Sequence, residues 1–325
     1  MLKLKNEQGN GNESMGGGRI AGELIELVIE EKKTTEGKPY ISGIAKIEVE
    51  QAIEGQVVKE VVPVRMFSMQ KTAKGEISQV YNKIKNYKEE FIPRVSSLNG
   101  KGSMVSFWSN RLMLKEQTYS GREGFTVESN FMNAMREQDK PTAEFNGVFI
   151  VLNNPVSASE LDDAGAPTGR LKLKMGAVGY KGDVSIFTMY LVSPQKVAHV
   201  MKSWNQGDTV KVSAGLISCV EKVTTTKEEV GFGEPIIKTK REFINELIIV
   251  SGSATALEPS VSYDPVDLAI GLKKRVEDIE EAKVKRAAAA TVAVKDSPKN
   301  VKITDSDLGL DDEPQKDVLD LELGF

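Results

Sequence analysis

Cysteine, histidine and tryptophan are nearly absent: 325 residues hold one Cys, one His and two Trp. A lone Cys219 excludes an internal disulfide and a cysteine-based zinc site. Its place in the apolar run LISCV makes it a small core residue. His199 stands mid-helix by pattern with no Cys or His at ligand spacing, which favours a surface or packed residue over a base or metal ligand. No GxxxxGK[ST] phosphate loop occurs. The glycines at 16–18 lack the strand-before, helix-after setting of a dinucleotide site and read as a hinge. Carboxylates outside the C-terminal segment are scattered. These absences argue against an enzyme and imply no cofactor and no metal. No run approaches 18 apolar residues, and the N-terminus lacks a signal-peptide hydrophobic region, so the expectation is a soluble protein of the cytoplasm with no membrane association.

Charge is unevenly placed. The formal net charge is −4, yet residues 305–325 (DSDLGLDDEPQKDVLDLELGF) set eight carboxylates against one lysine, which is −7. Residues 1–304 therefore total +3, with 42 basic against 39 acidic side chains. So dense a like-charged block stays solvated. Its last side chain, Phe325, sits beside the terminal carboxylate. Acids that steer a basic surface, followed by a ring that fills a pocket, suit partner capture.

The pattern predicts a mainly β protein in five parts: a flexible N-terminal arm (1–17), two β-rich units (18–139 and 140–255), a helical extension (256–295), and a linker with the acidic tail (296–325). In the first unit, strand-like runs at 21–31, 40–49 and 58–67 precede a helix at 78–91 with Ser78 as N-cap, then strands at 103–115 and 125–135. In the second, strands at 144–152, 171–180 and 184–192 precede a helix at 194–204, then strands at 208–222 and 241–251. Three strands, a helix and two strands is the order of an OB-fold barrel, found here twice. Loops at 117–124, 153–169 and 223–240 stand where such barrels close over a nucleic acid strand. Residues 264–295 read as a helix with a narrow stripe at Ala269, Leu272, Val276 and Ile279, suited either to packing on the second barrel or to self-association through 264–290.

Alternation selects an outward face. With Ile41, Gly43, Ala45, Ile47, Val62, Val64 and Met66 inward, Tyr40, Ser42, Lys46, Arg65 and Phe67 point outward. In the fourth strand, Met104, Trp108, Leu112 and Leu114 are expected in the core, leaving Phe107, Arg111 and Lys115 outside. Lys32, Lys33, Lys38, Tyr119 and Arg122 extend the track on loops. In the second unit Lys172, Lys174 and Lys211 alternate with apolar residues. Tyr180, Lys181, Phe232, Lys238, Lys240 and Arg241 stand at turns or loop edges, while Phe187 and Tyr190 take no clear side. Rings to stack unpaired bases, with cations to follow phosphates, are what single-stranded nucleic acid needs.

With barrels, stacking face and tail together, the chain resembles the bacterial and bacteriophage single-stranded DNA-binding proteins. These pair an OB fold with a disordered acidic tail ending in phenylalanine. The matching stretch is DDEPQKDVLDLELGF, with Asp311, Asp312, Glu313, Asp317, Asp320, Glu322 and Phe325 as the carried-over tail residues. The resemblance implies a non-catalytic protein that coats single-stranded DNA in replication, recombination or repair. Its tail would recruit a helicase, primase or polymerase, in a bacterial cytoplasm and from a phage gene. Two departures stand out: the family has one barrel per short chain, and a proline where Gly324 stands here. The rival expectations are a scaffold β-barrel protein, such as a virion component docked by its tail, and a strand-annealing recombination mediator.

Overall fold

The computed structural model describes residues 1–295 except 8–10, 12, 14–15, 35, 54, 111–112, 118–123, 163 and 229–235; for 220–228, 236–244 and 286–295 only the backbone is described. It divides into two compact units, Met1–Ile279 and Glu280–Phe325. In the second, Lys285 and Glu281 pair one helical turn apart at 3.3 Å.

Both β-rich halves are five-strand rings of the same connectivity. The first contains β1 (Gly16–Lys33), β2 (Pro39–Ile53), β3 (Gln56–Met69), helix α1 (Gln79–Glu90), β4 (Met104–Ser109), β5 (Leu114–Gln117), β6 (Gly124–Glu128) and β7 (Met132–Ala134). Strand β1 pairs antiparallel with β2 and β4, β2 with β3, and β5 with β6, while β3 runs parallel to β6. With β4 and β5 as the two arms of one bent fourth strand, the order is that of an OB barrel, with the helix between its third and fourth strands.

The second ring contains β8 (Thr142–Val151), β9 (Ser159–Leu161), β10 (Pro167–Val178), β11 (Val184–Leu191), helix α2 (Pro194–Ser203), β12 (Thr209–Glu228) and β13 (Ile236–Gly252). It closes as β8–β10–β11–β13–β12–β8, and again the third and fifth strands are the parallel pair. The hairpin β12–β13 is much longer than its sequence suggests. Register continues from Val212↔Gly252 out to Glu228↔Ile236, so much of the span expected to be a loop at 223–240 is paired strand. Thr, Ile and Val there favour extended backbone despite the interspersed charge.

The chain makes these rings for legible reasons. Residues alternating inward on β2 and β3 (Ile41, Ala45, Ile47, Val49, Val62, Val64, Met66) are all buried. Helix α1 starts where Ser78 Oγ accepts from the Tyr81 N–H at 3.3 Å, and it presents Tyr81, Ile84 and Tyr87 to the barrel mouth. Burial pushes the Tyr87 phenol up to about 12. Its hydroxyl donates to the Asn130 carbonyl (2.8 Å) and accepts from the Met132 N–H (2.9 Å), tying the helix to the β6–β7 turn.

Two expectations about the N-terminal segment are corrected. The glycines at 16–18 form no hinge: they begin β1, and Gly16↔Gly147 to Ala21↔Thr142 pairs β1 with β8 of the second ring. One sheet of thirteen strands therefore runs through both rings. Glycine is required where these backbones meet, because a Cβ at Gly16 would lie 2.5 Å from the Asn146 carbonyl oxygen. Nor is the start of the chain a free arm. The Leu2 N–H donates to the Ser262 carbonyl at 2.8 Å, and Leu4 is buried beside Val184, Tyr263 and Leu268. An apolar Leu-x-Leu pair inside a polar stretch is the cue for this anchoring.

Helix α3 (Pro265–Lys295) follows Asp264, whose Oδ1 caps the Val266 N–H at 2.9 Å. Leu268 and Leu272 pack on the second ring. Arg275 binds Glu116 of β5 through both Nε and Nη2, while Glu116 Oε2 also accepts the β11 N–H of Ile186 at 2.9 Å. Between the rings lies a buried polar cluster. Gln51 Nε2 donates to Glu60 Oε2 (3.0 Å) and to the Ile217 carbonyl (2.9 Å), and Ser218 Oγ donates to Glu60 Oε1. Buried polar groups persist where they satisfy one another.

Candidate nucleic-acid interface

The outward residues of β1, β2 and β3 form one surface because their cross-strand partners are in register. Val28 lies opposite Ile44 and Glu26 opposite Lys46; Ile44 lies opposite Arg65 and Ser42 opposite Phe67. Tyr40 and Phe67 meet diagonally with ring centroids 5.5 Å apart and planes tilted 39°. Phe67 is 52% exposed, a high value for a phenylalanine in the middle of a paired strand. Its backbone N–H is held by Asn130 Oδ1 at 2.8 Å, which fixes the β3 edge against the β6–β7 turn.

An open groove of about 690 Å³ follows this face, with Arg65, Phe67, Lys115, Val28, Ile44 and Asn130 among its walls. A second groove of about 460 Å³ continues from Ile44, Lys46 and Arg65 to Ile217 of the second ring. The sequence-nominated Tyr40, Lys46, Arg65, Phe67 and Lys115 thus fall on one continuous side. Most of the cations already have partners: Lys46–Glu26 at 2.6 Å, Lys32–Glu30 at 2.5 Å and Lys115–Glu128 at 3.3 Å. Arg65 is exposed and makes no ion pair with any described residue.

Phe107 is a correction. It was expected outside and Trp108 inside, yet Phe107 is fully buried while Trp108 is 59% exposed. Strand β4 ends at Ser109 and β5 begins at Leu114. Odd-numbered Val105 and Phe107 are buried on β4, Met113 is buried between the two pieces, and even-numbered Leu114 is buried on β5. Carrying the phase of Leu114 back across the break inverts every side chain of β4. Arg111, Tyr119 and Arg122 lie outside the described residues, as do Asp311, Asp312, Glu313, Asp317, Asp320, Glu322 and Phe325.

The second ring presents a corresponding face on β10 and β11. Lys172 is exposed opposite Tyr190, and Lys174 is half-buried opposite Thr188. Arg170, missed in the sequence, stacks its guanidinium 4.4 Å from the Tyr190 ring centre and ion-pairs with Glu246 at 2.7 Å. The carboxylate raises the already high Arg170 pKa against the opposing effect of burial. The signal for this pair was the register Lys172↔Tyr190, which the two-sided apolar pattern of VSIFTMYLV conceals. Tyr180 stands exposed at the β10–β11 turn, and Lys211 stands exposed on β12 away from Lys172, so the four second-ring nominees do not converge.

His199 is exposed, and its Nε2 lies 2.9 Å from the Ala254 carbonyl. Cys219 is buried, and burial with the nearby Glu60 pushes its thiol up to about 11. Among the described residues no three His, Cys, Asp or Glu side chains gather as a metal cluster, and no helix is long and apolar enough to cross a membrane.

A search of curated proteins by sequence finds no match. Among solved structures, wild-type single-stranded DNA binding protein from Thermus aquaticus aligns at 10% identity and a TM-score of 0.47, covering 76% of this chain and 96% of that one. A deletion mutant of the same protein aligns at 12% identity and a TM-score of 0.45, covering 78% and 98%. By sequence, the model of one protein family matches residues 18–285, both rings and most of helix α3 included, and on that match the chain belongs to the YorF family.

Proposed function

We propose that this chain binds single-stranded DNA stoichiometrically, without catalysis, on the outer face of β1–β2–β3. The observation that carries the reading is the Tyr40–Phe67 ring pair beside Arg65, which makes no ion pair with any described residue, on an open groove of about 690 Å³. Exposed rings on a strand face offer unpaired bases a stacking surface that a duplex cannot use. The two OB-like domains of this reading span 18–139 and 140–255, and the β10–β11 face of the second prolongs the track.

Magnitudes favour stacking over charge. A stacked base contributes roughly 1–3 kcal/mol. A phosphate must compete for lysines already held in exposed pairs, each worth about 0–1 kcal/mol. Four groove cations at roughly 0.7 each set the slope of log affinity against log salt no steeper than about −3. The acidic tail completes the proposal: it competes with DNA for the weakly basic body and, once displaced, recruits replication proteins such as a helicase, primase or polymerase.

The test is a titration with oligo(dT) and with duplex DNA at two salt concentrations. Preference for the single strand with a shallow salt slope supports the reading. Equal or no binding of the two would overturn it in favour of a scaffold role. Removing residues 305–325 should tighten binding at low salt, and an unchanged affinity and slope would refute the tail competition.

A further inference from the structure

Trp108 stands apart from the face just described. It lies on β4, directly across the ladder from Arg19 of β1, which in turn faces Glu144 of β8. Beside it opens a slot of about 520 Å³ to which both rings contribute: Arg19, Trp108 and Asn110 from the first, Glu144, Asn146 and Lys211 from the second. That volume is in the range of small-ligand sites, roughly 300–1,000 Å³. The slot exists because β1 carries glycine at its floor. A Cβ at Gly17 would lie 2.7 Å from the Ser109 carbonyl oxygen, and any larger side chain would fill the space. Arg19 is held in place by Asp139 at 2.8 Å.

The rim combines one flat indole, a guanidinium, an ammonium, two side-chain amides and one carboxylate, Glu144, which accepts from Thr142 Oγ1 at 2.8 Å and leaves the two cations in excess. Val148 is the only large aliphatic residue among its described lining. Such a rim suits a polar, planar group carrying a phosphate better than it suits an apolar side chain from a protein partner.

We infer that Trp108 is a second stacking site for single-stranded DNA, where the strand crosses the join of the two rings: one base lies on the indole, and Arg19 and Lys211 face its phosphates. The inference rests on the binding reading above, but it places a contact on a different set of strands, β4–β1–β8–β12.

The chain carries its own probe. Its other tryptophan, Trp204, is buried and donates its Nε1–H to the Ser253 carbonyl at 3.1 Å, so added DNA should alter the emission of Trp108 alone. Full-length protein would be titrated with a long, dye-labelled oligo(dT), following both dye anisotropy and tryptophan emission. The expected result is binding by anisotropy with quenched emission, loss of the quench in Trp108→Phe, and affinity weakened roughly five- to a hundred-fold in Trp108→Ala. An unchanged melting curve for Trp108→Ala would show that the exposed residue acts in binding and not in folding. Binding by anisotropy without a quench, or a quench that survives in Trp108→Phe, overturns the inference and leaves the β1–β2–β3 reading standing. No rise in anisotropy overturns both.

Discussion

Ser218 donates its hydroxyl hydrogen to Glu60 across 2.7 Å, and this bond ties β12 of the second ring to β3 of the first inside a buried cluster. Removing the carboxylate strands the Ser218 hydroxyl and one Gln51 donor position, and it frees the Cys219 N–H, whose bond to Glu60 Oε2 is long at 3.4 Å. Unsatisfied buried donors cost about 1–3 kcal/mol apiece. Glu60→Ala should therefore destabilise the fold by about 2–4 kcal/mol in guanidinium unfolding followed by circular dichroism. Glu60→Gln, which keeps two acceptor lone pairs, should cost less. Equal losses for the two variants would mean that the intact carboxylate with both its oxygens, and not side-chain volume or a single retained acceptor, matters at this position.

Phe67 and Arg65 separate the two components of the proposed binding. Phe67→Ala should weaken oligo(dT) binding by about 1–3 kcal/mol and leave the salt slope unchanged. Arg65→Ala should flatten that slope by about 0.7. Both side chains are exposed, so thermal unfolding should move little in either variant.

Cys219 predicts a pH effect with a definite sign. Its thiol is raised from the usual value of 9.0 to about 11 in the folded chain, so folding favours the protonated form. The associated stability is fully present below pH 9 and is lost as pH rises toward 11. Cys219→Ser should lessen the alkaline loss of stability. At pH 8 a thiol reagent should label the native chain slowly and the denatured chain fast. Rapid labelling of the native chain would show that the pocket opens.

Arg275 and Glu116 fasten the first turns of α3 to β5. Both side chains are largely shielded from water, so the pair should be worth more than a typical surface ion pair. Arg275→Ala should raise amide exchange over 265–279 and sensitise that stretch to protease. Glu116→Ala should do more, because it also leaves the Ile186 N–H without its acceptor. Unaltered exchange in both variants would mean that Leu268 and Leu272 suffice to hold the helix.

What could be read in the sequence was what repeats locally. Period-two alternation fixed the inward faces of β2 and β3, and Ser78 and the Pro194 neighbourhood marked the helix starts. Two copies of one element order led to two rings. What escaped depended on distant partners or on a change of phase. The break after Ser109 reversed Phe107 and Trp108, and no local pattern announces where a strand slips by one residue. Pairing of the glycines at 16–18 with β8 is a contact between residues some 130 positions apart. The pairing of Arg170 with Tyr190 needed the register of a hairpin whose two faces are both apolar.

The ladder between β1 and β8 makes the peptide link between the rings redundant. Residues 136–140 join the two halves over the surface, while six residue pairs of β1–β8 and the Glu60 cluster join them by hydrogen bonds. A cut after the exposed Arg136 would sever the chain without severing the sheet. Two fragments meeting at that point should therefore reassemble from separate polypeptides, a split protein whose halves recognise each other by pairing β1 with β8.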